Sequence, residues 1–101
     1  MNSFEALQKR VIEWADARDI LTEGTKLGQF HKTLEELDEL YEGIQKNSDK
    51  EVEDAIGDII VTLIIQAELW GMDTVGCLDT AYKDIKNRQG KMRNGIFYKD
   101  E

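Results

Sequence analysis

A chain of 101 residues with no proline, one cysteine and a formal net charge of −8 is long enough for one domain, 1–101, but buries only a modest core when alone, so self-association is expected. Cys77 cannot form an internal disulfide, residues 1–20 lack the basic start and apolar stretch of a signal peptide, and the longest apolar run, 59–65, is broken by Thr62 and too short to span a bilayer. These features predict a cytoplasmic protein with no membrane segment. Residues 1–82 carry 7 Lys or Arg and 18 Asp or Glu, net −11, whereas 83–99 carry 6 and 1, net +5. Such an acidic body repels nucleic acid, whose affinity for proteins comes largely from phosphate neutralisation, and fits a small polyanion better.

Abundant Leu, Ile, Glu and Lys favour an all-α fold. Asn2 and Glu5 suit a capping box, and Phe4, Leu7, Val11 and Trp14 recur at helical spacing, which predicts a first helix over 4–18. Residues 19–26, with Gly24 and Thr25, read as a loop. Leu27, Phe30, Leu34, Leu37, Tyr41 and Ile44 form an apolar seam on a second helix over 27–46. Ser48 and Glu51 offer another capping box, so a third helix over 49–70 follows a short turn and lies antiparallel to the second. Its apolar residues cover nearly every direction around the axis, more than four short helices can surround, and a second subunit is expected against it. Gly71 ends it, Asp73 or Thr74 caps a fourth helix over 74–89, and Asn94-Gly95 in the tail 90–101 is a tight-turn dipeptide that suits a small hairpin.

Helix phase puts Lys32, Glu36 and Glu39 on one stripe of the second helix, with Glu35, Asp38 and Glu42 pointing elsewhere. Asp54 and Asp58 share one face of the third. With a rise of about 1.5 Å per residue from the turn, Glu39 and Glu36 lie at about 13 and 17 Å, and Asp54 and Asp58 at about 10 and 16 Å. Four carboxylates at matching heights repel one another unless neutralised, and a hard divalent cation such as Mg²⁺, or Mn²⁺ in its place, resolves the conflict. Zinc is disfavoured, because no cysteine is at hand and His31 points away from the stripe. A solvated acidic helix is the competing reading.

The run 29–39 (QFHKTLEELDE), the Ile56-Gly57-Asp58 step, the apolar run after it and Gly71-Met72-Asp73 resemble the MazG-like nucleoside triphosphate pyrophosphohydrolases. The ending, from Ala81 through Gly90-Lys91-Met92 to Gly95-Ile96-Phe97, is most similar to short phage-encoded members. The resemblance implies a four-helix MazG-like bundle completed by oligomerisation to a homodimer or homotetramer, and Mg²⁺-dependent hydrolysis of a nucleoside triphosphate, with a dNTP as the expected substrate. Glu36 and Glu39 match the first pair of the family's Glu-x-x-Glu and Glu-x-x-Asp ligands, and Asp58 matches the last. Ala55 stands where the remaining ligand is expected, and Asp54, one residue earlier, is the substitute.

The resemblance further implies that Glu35 or Glu39 orients the attacking water and that Lys83 and Asn87 hold the nucleotide, with Arg88 and Lys91 available to the leaving pyrophosphate. Lys32 either reaches a phosphate or pairs with Glu36, and Trp14 is the aromatic candidate for the substrate pocket. Each has a plainer alternative: a basic helix end complements the helix dipole, and aromatic residues at helical spacing are usually core. Ala55 also favours an alternative function, a catalytically weak or inactive regulatory protein with the same fold.

Overall fold

The structure, a computed structural model, describes residues 3–101. Five helices, α1 (Phe4–Asp16), α2 (Ile20–Glu23), α3 (Lys26–Gln45), α4 (Asp49–Leu69) and α5 (Thr74–Ile85), precede two strands, β1 (Gly90–Arg93) and β2 (Ile96–Lys99). The fold is all-α with a small appended ribbon. Asn2 lies outside the described residues; Ser3 caps α1, its Oγ accepting from the Ala6 amide at 3.1 Å. That helix stops at Asp16 rather than 18, where the chain turns through Asp19 in the left-handed region. The expected loop over 19–26 contains the single turn α2.

The centre of the molecule is the antiparallel pair α3 and α4. Asn47, at φ 53°, ends α3 by letting Ser48 and Asn47 donate back to the Gly43 and Ile44 carbonyls, each at 3.0 Å. Ser48 Oγ then accepts from the Glu51 amide at 3.2 Å and opens α4. Only half of the expected box forms, because the Ser48 amide is committed to Gly43 and the Glu51 carboxylate pairs with Lys46 at 3.2 Å. Next to this turn Gly43 is buried, and a Cβ placed there would meet the Val52 nitrogen at 3.1 Å. Further along, Thr33 donates to Thr62 Oγ1 at 3.0 Å and Gln29 Nε2 donates to the Thr62 carbonyl at 3.1 Å. At the far end Gln66 Nε2 donates to the Lys26 carbonyl at 3.0 Å, and the Lys26 ammonium lies 3.8 Å from the Trp70 ring centroid.

This pairing uses a different face of α3 from its apolar seam. Gln29, Thr33, Glu36, Leu40 and Gly43 are its less exposed positions, whereas Leu27, Phe30, Leu34, Leu37, Tyr41 and Ile44 are all exposed on the single chain. Helical phase separates the two sets by roughly a quarter to a third of a turn. On α4, Ala55, Thr62, Ile64, Ile65 and Ala67 are buried, while Ile56, Ile60 and Leu63 are exposed. The helix that reads as apolar all round is therefore covered on part of its circumference only.

On α1, Ala15 is fully buried, and Gln8 Oε1 accepts from the Thr74 and Val75 amides at 2.9 and 3.2 Å, fixing the start of α5. Asp73 is the cap of α5, accepting from the Gly76 amide at 2.7 Å. This helix leaves α4 at 100° and ends at Ile85, short of the expected 89. Asn94 and Gly95, with φ of 50° and 80°, close the ribbon, pairing Arg93 with Ile96, Met92 with Phe97, Lys91 with Tyr98 and Gly90 with Lys99. Neither strand packs on any helix. The radius of gyration, 15.8 Å, exceeds the roughly 13 Å of a compact domain of this length. No single helix among the described residues is long and apolar enough to cross a membrane.

The close approach at Gly43 predicts that Gly43→Val costs about 1–3 kcal/mol by forcing α3 from α4. Nothing lies within 4 Å of a Cβ at Gly57, so Gly57→Ala in the interior of α4 is expected to stabilise by about 0.5–1 kcal/mol. Urea midpoints measure both, and an unchanged midpoint for Gly43→Val contradicts the close contact.

Candidate metal and nucleotide site

Glu36 and Glu39 project from α3, and Asp58 from α4, one turn beyond Ala55. Each offers a carboxylate oxygen, and the three oxygens lie within 4.8 Å of one another. Glu36 is the buried member, 8% exposed, and its Oε2 is buried without a hydrogen-bond partner. Its pKa is raised by proton sharing with Glu39, by burial, and by the negative charges of Glu39 and Asp58, with Lys32 opposing. Among the three carboxyls, Glu36 is thus the one whose charged form the cluster disfavours. The residues fit a hard divalent ion: their donors are all oxygen, they converge on one point, and one buried oxygen lacks a partner.

Lys32 Nζ lies 3.2 Å from Glu35 and 3.8 Å from Glu36. Its pKa is raised first by the hydrogen bond to Glu35 and then by that carboxylate's charge. Glu35 is thereby turned towards Lys32 and is outside the three-carboxylate cluster. Asp54 is outside it too, its Oδ2 lying 3.4 Å from Lys50 Nζ. It lines a hollow of about 300 Å³ together with Glu39, Glu42, Glu51, Ala55 and Asp58. Glu42 and Glu51 are the residues that sequence reasoning left out of this hollow. Glu42 follows Glu39 by three residues and Glu51 precedes Asp58 by seven, both helical spacings that keep a side chain near one face. Ala55, 2% exposed, has its methyl packed in the seam between the helices at the hollow's wall.

A second hollow of about 440 Å³ opens on the other side of the cluster. Trp14, Ile20, Val61 and Ile65 give it apolar walls, and Lys32, Glu36 and Asp58 give it a charged end. Trp14 is 46% exposed and also borders the neighbouring cleft with Arg10 and Asp58, while Arg18 stacks over its other surface at 4.6 Å. The structure therefore brings Trp14 and Lys32 to the carboxylates. It keeps Lys83, Asn87, Arg88 and Lys91 away from both hollows. Lys83 pairs with Asp79 at 2.9 Å, Asn87 and Arg88 lie beside Lys99 at the base of the ribbon, and Lys91 is on β1.

A folded-state pKa raised above the unfolded value adds stability that is complete below the ordinary glutamate range, and loses it as pH rises through the raised value. In chelator, the melting temperature is expected to fall as pH climbs from about 4, the ordinary glutamate value, towards neutrality. Glu36→Gln flattens this fall and raises the metal-free melting temperature at pH 8. In wild type the increment given by Mg²⁺ is expected to be larger at pH 8 than at pH 5 and to vanish in Glu36→Gln. Thermal scans with and without EDTA measure each, and identical pH profiles for the two proteins rule out the strained carboxyl.

A family model described as the MazG nucleotide pyrophosphohydrolase domain matches residues 25–92, which include the three clustered carboxylates, the helix α5 and all but the last residue of the first strand. An uncharacterized 18.2 kDa protein from the rep-hol intergenic region of Haemophilus phage HP1 (strain HP1c1) is 35% identical over 75 residues, covering 74% of this chain and 46% of the phage protein. The chain thus spans about half the length of that relative. No solved structure gives a significant match. The family match takes in α3 and α4 with all three carboxylates, and the chain belongs to the MazG nucleotide pyrophosphohydrolase family.

Proposed function

We propose that the chain hydrolyses a nucleoside triphosphate, with a deoxynucleotide as the expected substrate, to the monophosphate and pyrophosphate in a Mg²⁺-dependent reaction. The observation that carries this reading is the convergence of Glu36, Glu39 and Asp58, with an orphaned buried oxygen, at the charged end of a hollow walled by Trp14. Its volume is in the range of small-molecule sites. Trp14, Val61 and Ile65 offer the base and sugar an apolar bed, which directs the phosphates towards Lys32 and the carboxylates.

Glu36, Glu39 and Asp58 would hold the cation, with Asp54 able to join them if it leaves Lys50. When bound, Mg²⁺ neutralises phosphate oxygens and acidifies water. Glu39, which lines the acidic hollow next to Asp58, would orient the attacking water and take its proton, and Glu35 is the alternative, tied to Lys32. Water adds to the α-phosphorus, the bond from that phosphorus to the bridging oxygen breaks, and pyrophosphate leaves with the electron pair. Lys32 keeps its charge through this step because Glu35 holds it protonated, so it can counter the growing charge on the phosphates.

A homodimer or homotetramer is the expected working form. The chain exposes 8043 Å², against about 5,800 Å² for a compact monomer of its mass. The excess of about 2,200 Å² is of the size that permanent subunit contacts remove. The apolar seam of α3 and the exposed ridge of α4 supply the matching surface.

Incubation of the oligomeric protein with a panel of NTPs and dNTPs plus Mg²⁺ is expected to release pyrophosphate. Asp58→Asn is expected to lower the rate by about 100-fold or more, as loss of a charge-stabilising group does. Failure to release pyrophosphate from any nucleotide overturns the hydrolase reading. It favours the second reading, a regulatory protein of the same fold, for which the specific observation is Ala55 in the ligand position. Ala55→Glu places a carboxylate at the wall of the 300 Å³ hollow and is expected to raise Mg²⁺ affinity while lowering metal-free stability. Asp54→Asn is expected to weaken Mg²⁺ binding, and unchanged affinity and turnover would remove Asp54 from the ligand set.

A further inference from the structure

Among the described residues, the β1–β2 ribbon is the one piece of regular structure that packs on no helix of its own chain. A two-stranded ribbon left alone in water is marginal at best, so its conformation calls for a surface that the chain itself does not provide. Its register assigns side chains to faces: Met92 and Phe97 share one, with Phe97 lying over Gly90, while Lys91, Tyr98, Arg93 and Ile96 share the other. The second face combines two cations with an aromatic ring, and Met92, Ile96, Phe97 and Tyr98 are all exposed.

The chain also has a surface of the opposite character. Glu39, Glu42, Glu51, Asp54 and Asp58 line the open hollow beside the buried Glu36, whose Oε2 has no partner. Lys46 and Lys50, paired at the rim with Glu51 and Asp54, leave this concentration of charge largely uncompensated. The helix α5 departs from α4 at 100° and carries the ribbon away from its own body. The cations of 83–99 are thus held out on an arm from a body of net −11.

We propose that in the assembled protein the ribbon of one copy lies over the acidic hollow of a second copy, with its Lys91, Arg93 and Tyr98 face inward. Charge complementarity selects the occupant: the ribbon is basic, the hollow acidic, and both are present in every copy, which lets two chains exchange ribbons symmetrically. The ammonium and guanidinium of the exchanged ribbon then face the Asp58 side of the carboxylates, across from the Trp14-walled hollow and towards any phosphate that reaches past them. The partner copy then adds positive charge to that of the single chain's own Lys32. The identification of the enclosed anion as a polyphosphate rests on the hydrolase reading above; the docking of the ribbon does not.

The test replaces Tyr98 with the photo-crosslinker p-benzoylphenylalanine in the full chain, in an equal mixture of ¹⁵N-labelled and unlabelled copies dissociated and reassembled together. Mass spectrometry after irradiation is expected to find mixed-isotope cross-links from position 98 to the segment 36–58. Cross-links confined to single copies, cross-links between copies that fall elsewhere, or none at all overturn the exchange. A functional arm mixes Lys91→Glu/Arg93→Glu copies, whose carboxylates are intact, with Asp58→Asn copies, whose ribbons are intact. In symmetric dimers an equal mixture is expected to recover about a quarter of wild-type turnover from two nearly inactive parents. Recovery no greater than the average of the parents contradicts a shared site. Turnover in wild type without the predicted cross-links removes the exchanged ribbon alone. Cross-links to 36–58 without turnover in wild type remove the hydrolase and leave the ribbon where proposed.

Discussion

The close packing of α3 on α4 is the constraint on which the site depends. Gly43 admits the backbone of Val52, the Asn47 turn fixes the register, and the Thr33–Thr62 hydrogen bond ties the helices two to three turns further on. Between these anchors the helices lie side by side, and Glu36, Glu39 and Asp58 each place a carboxylate oxygen within 4.8 Å of the others. Their mutual repulsion is borne by the packing and holds the Glu36 carboxyl above the ordinary glutamate pKa. A divalent ion held there would offset that repulsion and give the stranded Oε2 a partner. The same contact that stabilises the helix pair therefore brings the three carboxylates together, and metal binding there, as proposed, would be linked to stability.

The polar choice of residues at this contact has a consequence on the other side of α3. Gln29, Thr33, Glu36 and Gly43 contribute little apolar area to the pair, while six large apolar side chains of the same helix face outwards. Burial of apolar surface is worth roughly 25 cal/mol per Å², so most of the hydrophobic stabilisation available to α3 lies in a contact that the single chain does not make. Folding and assembly are consequently expected to be coupled, with the acidic site on one side of the helix pair and the apolar seam on another.

Much of this was legible in the sequence, and the misses have physical causes. Rise per residue matched Glu36 with Asp58 and put Glu39 beside them, because antiparallel helices joined by a two- or three-residue turn have little freedom in register. The turns at Asn47, Gly71 and Asn94-Gly95 were legible because residues that tolerate positive φ are few. Helix periodicity located the seam of α3 but not its neighbour: a stripe of Leu, Ile and aromatic residues marks surface that must be covered, whether by the same chain or by another. The true α4-facing side is written in Gln, Thr, Glu and Gly, which carry no hydrophobic signal. The basic group at Lys83, Asn87, Arg88 and Lys91 was legible as a charge cluster, but the 100° turn after Trp70 that carries it away from the carboxylates has no signature beyond Gly71 itself.

Ala55 sharpens the electrostatics of the site. With three clustered carboxylates and one divalent ion the centre carries a formal charge of −1; a glutamate at 55 would make it −2, and the incoming phosphates would face correspondingly more repulsion. Alanine in that position fills the seam between α3 and α4 and keeps the helices close, while Asp54 remains at the rim, already neutralised by Lys50. The departure from the family pattern thus exchanges ligand strength for a less negative centre. With the proposed ion in place, the protein's hold on it would be weaker, and a bound nucleotide's phosphates would supply more of its ligands. The nucleotide is then expected to tighten the cation's binding, which makes positive charge around the phosphates, from Lys32 and from any basic segment brought over the hollow, more consequential for substrate binding than a fourth protein carboxylate would be.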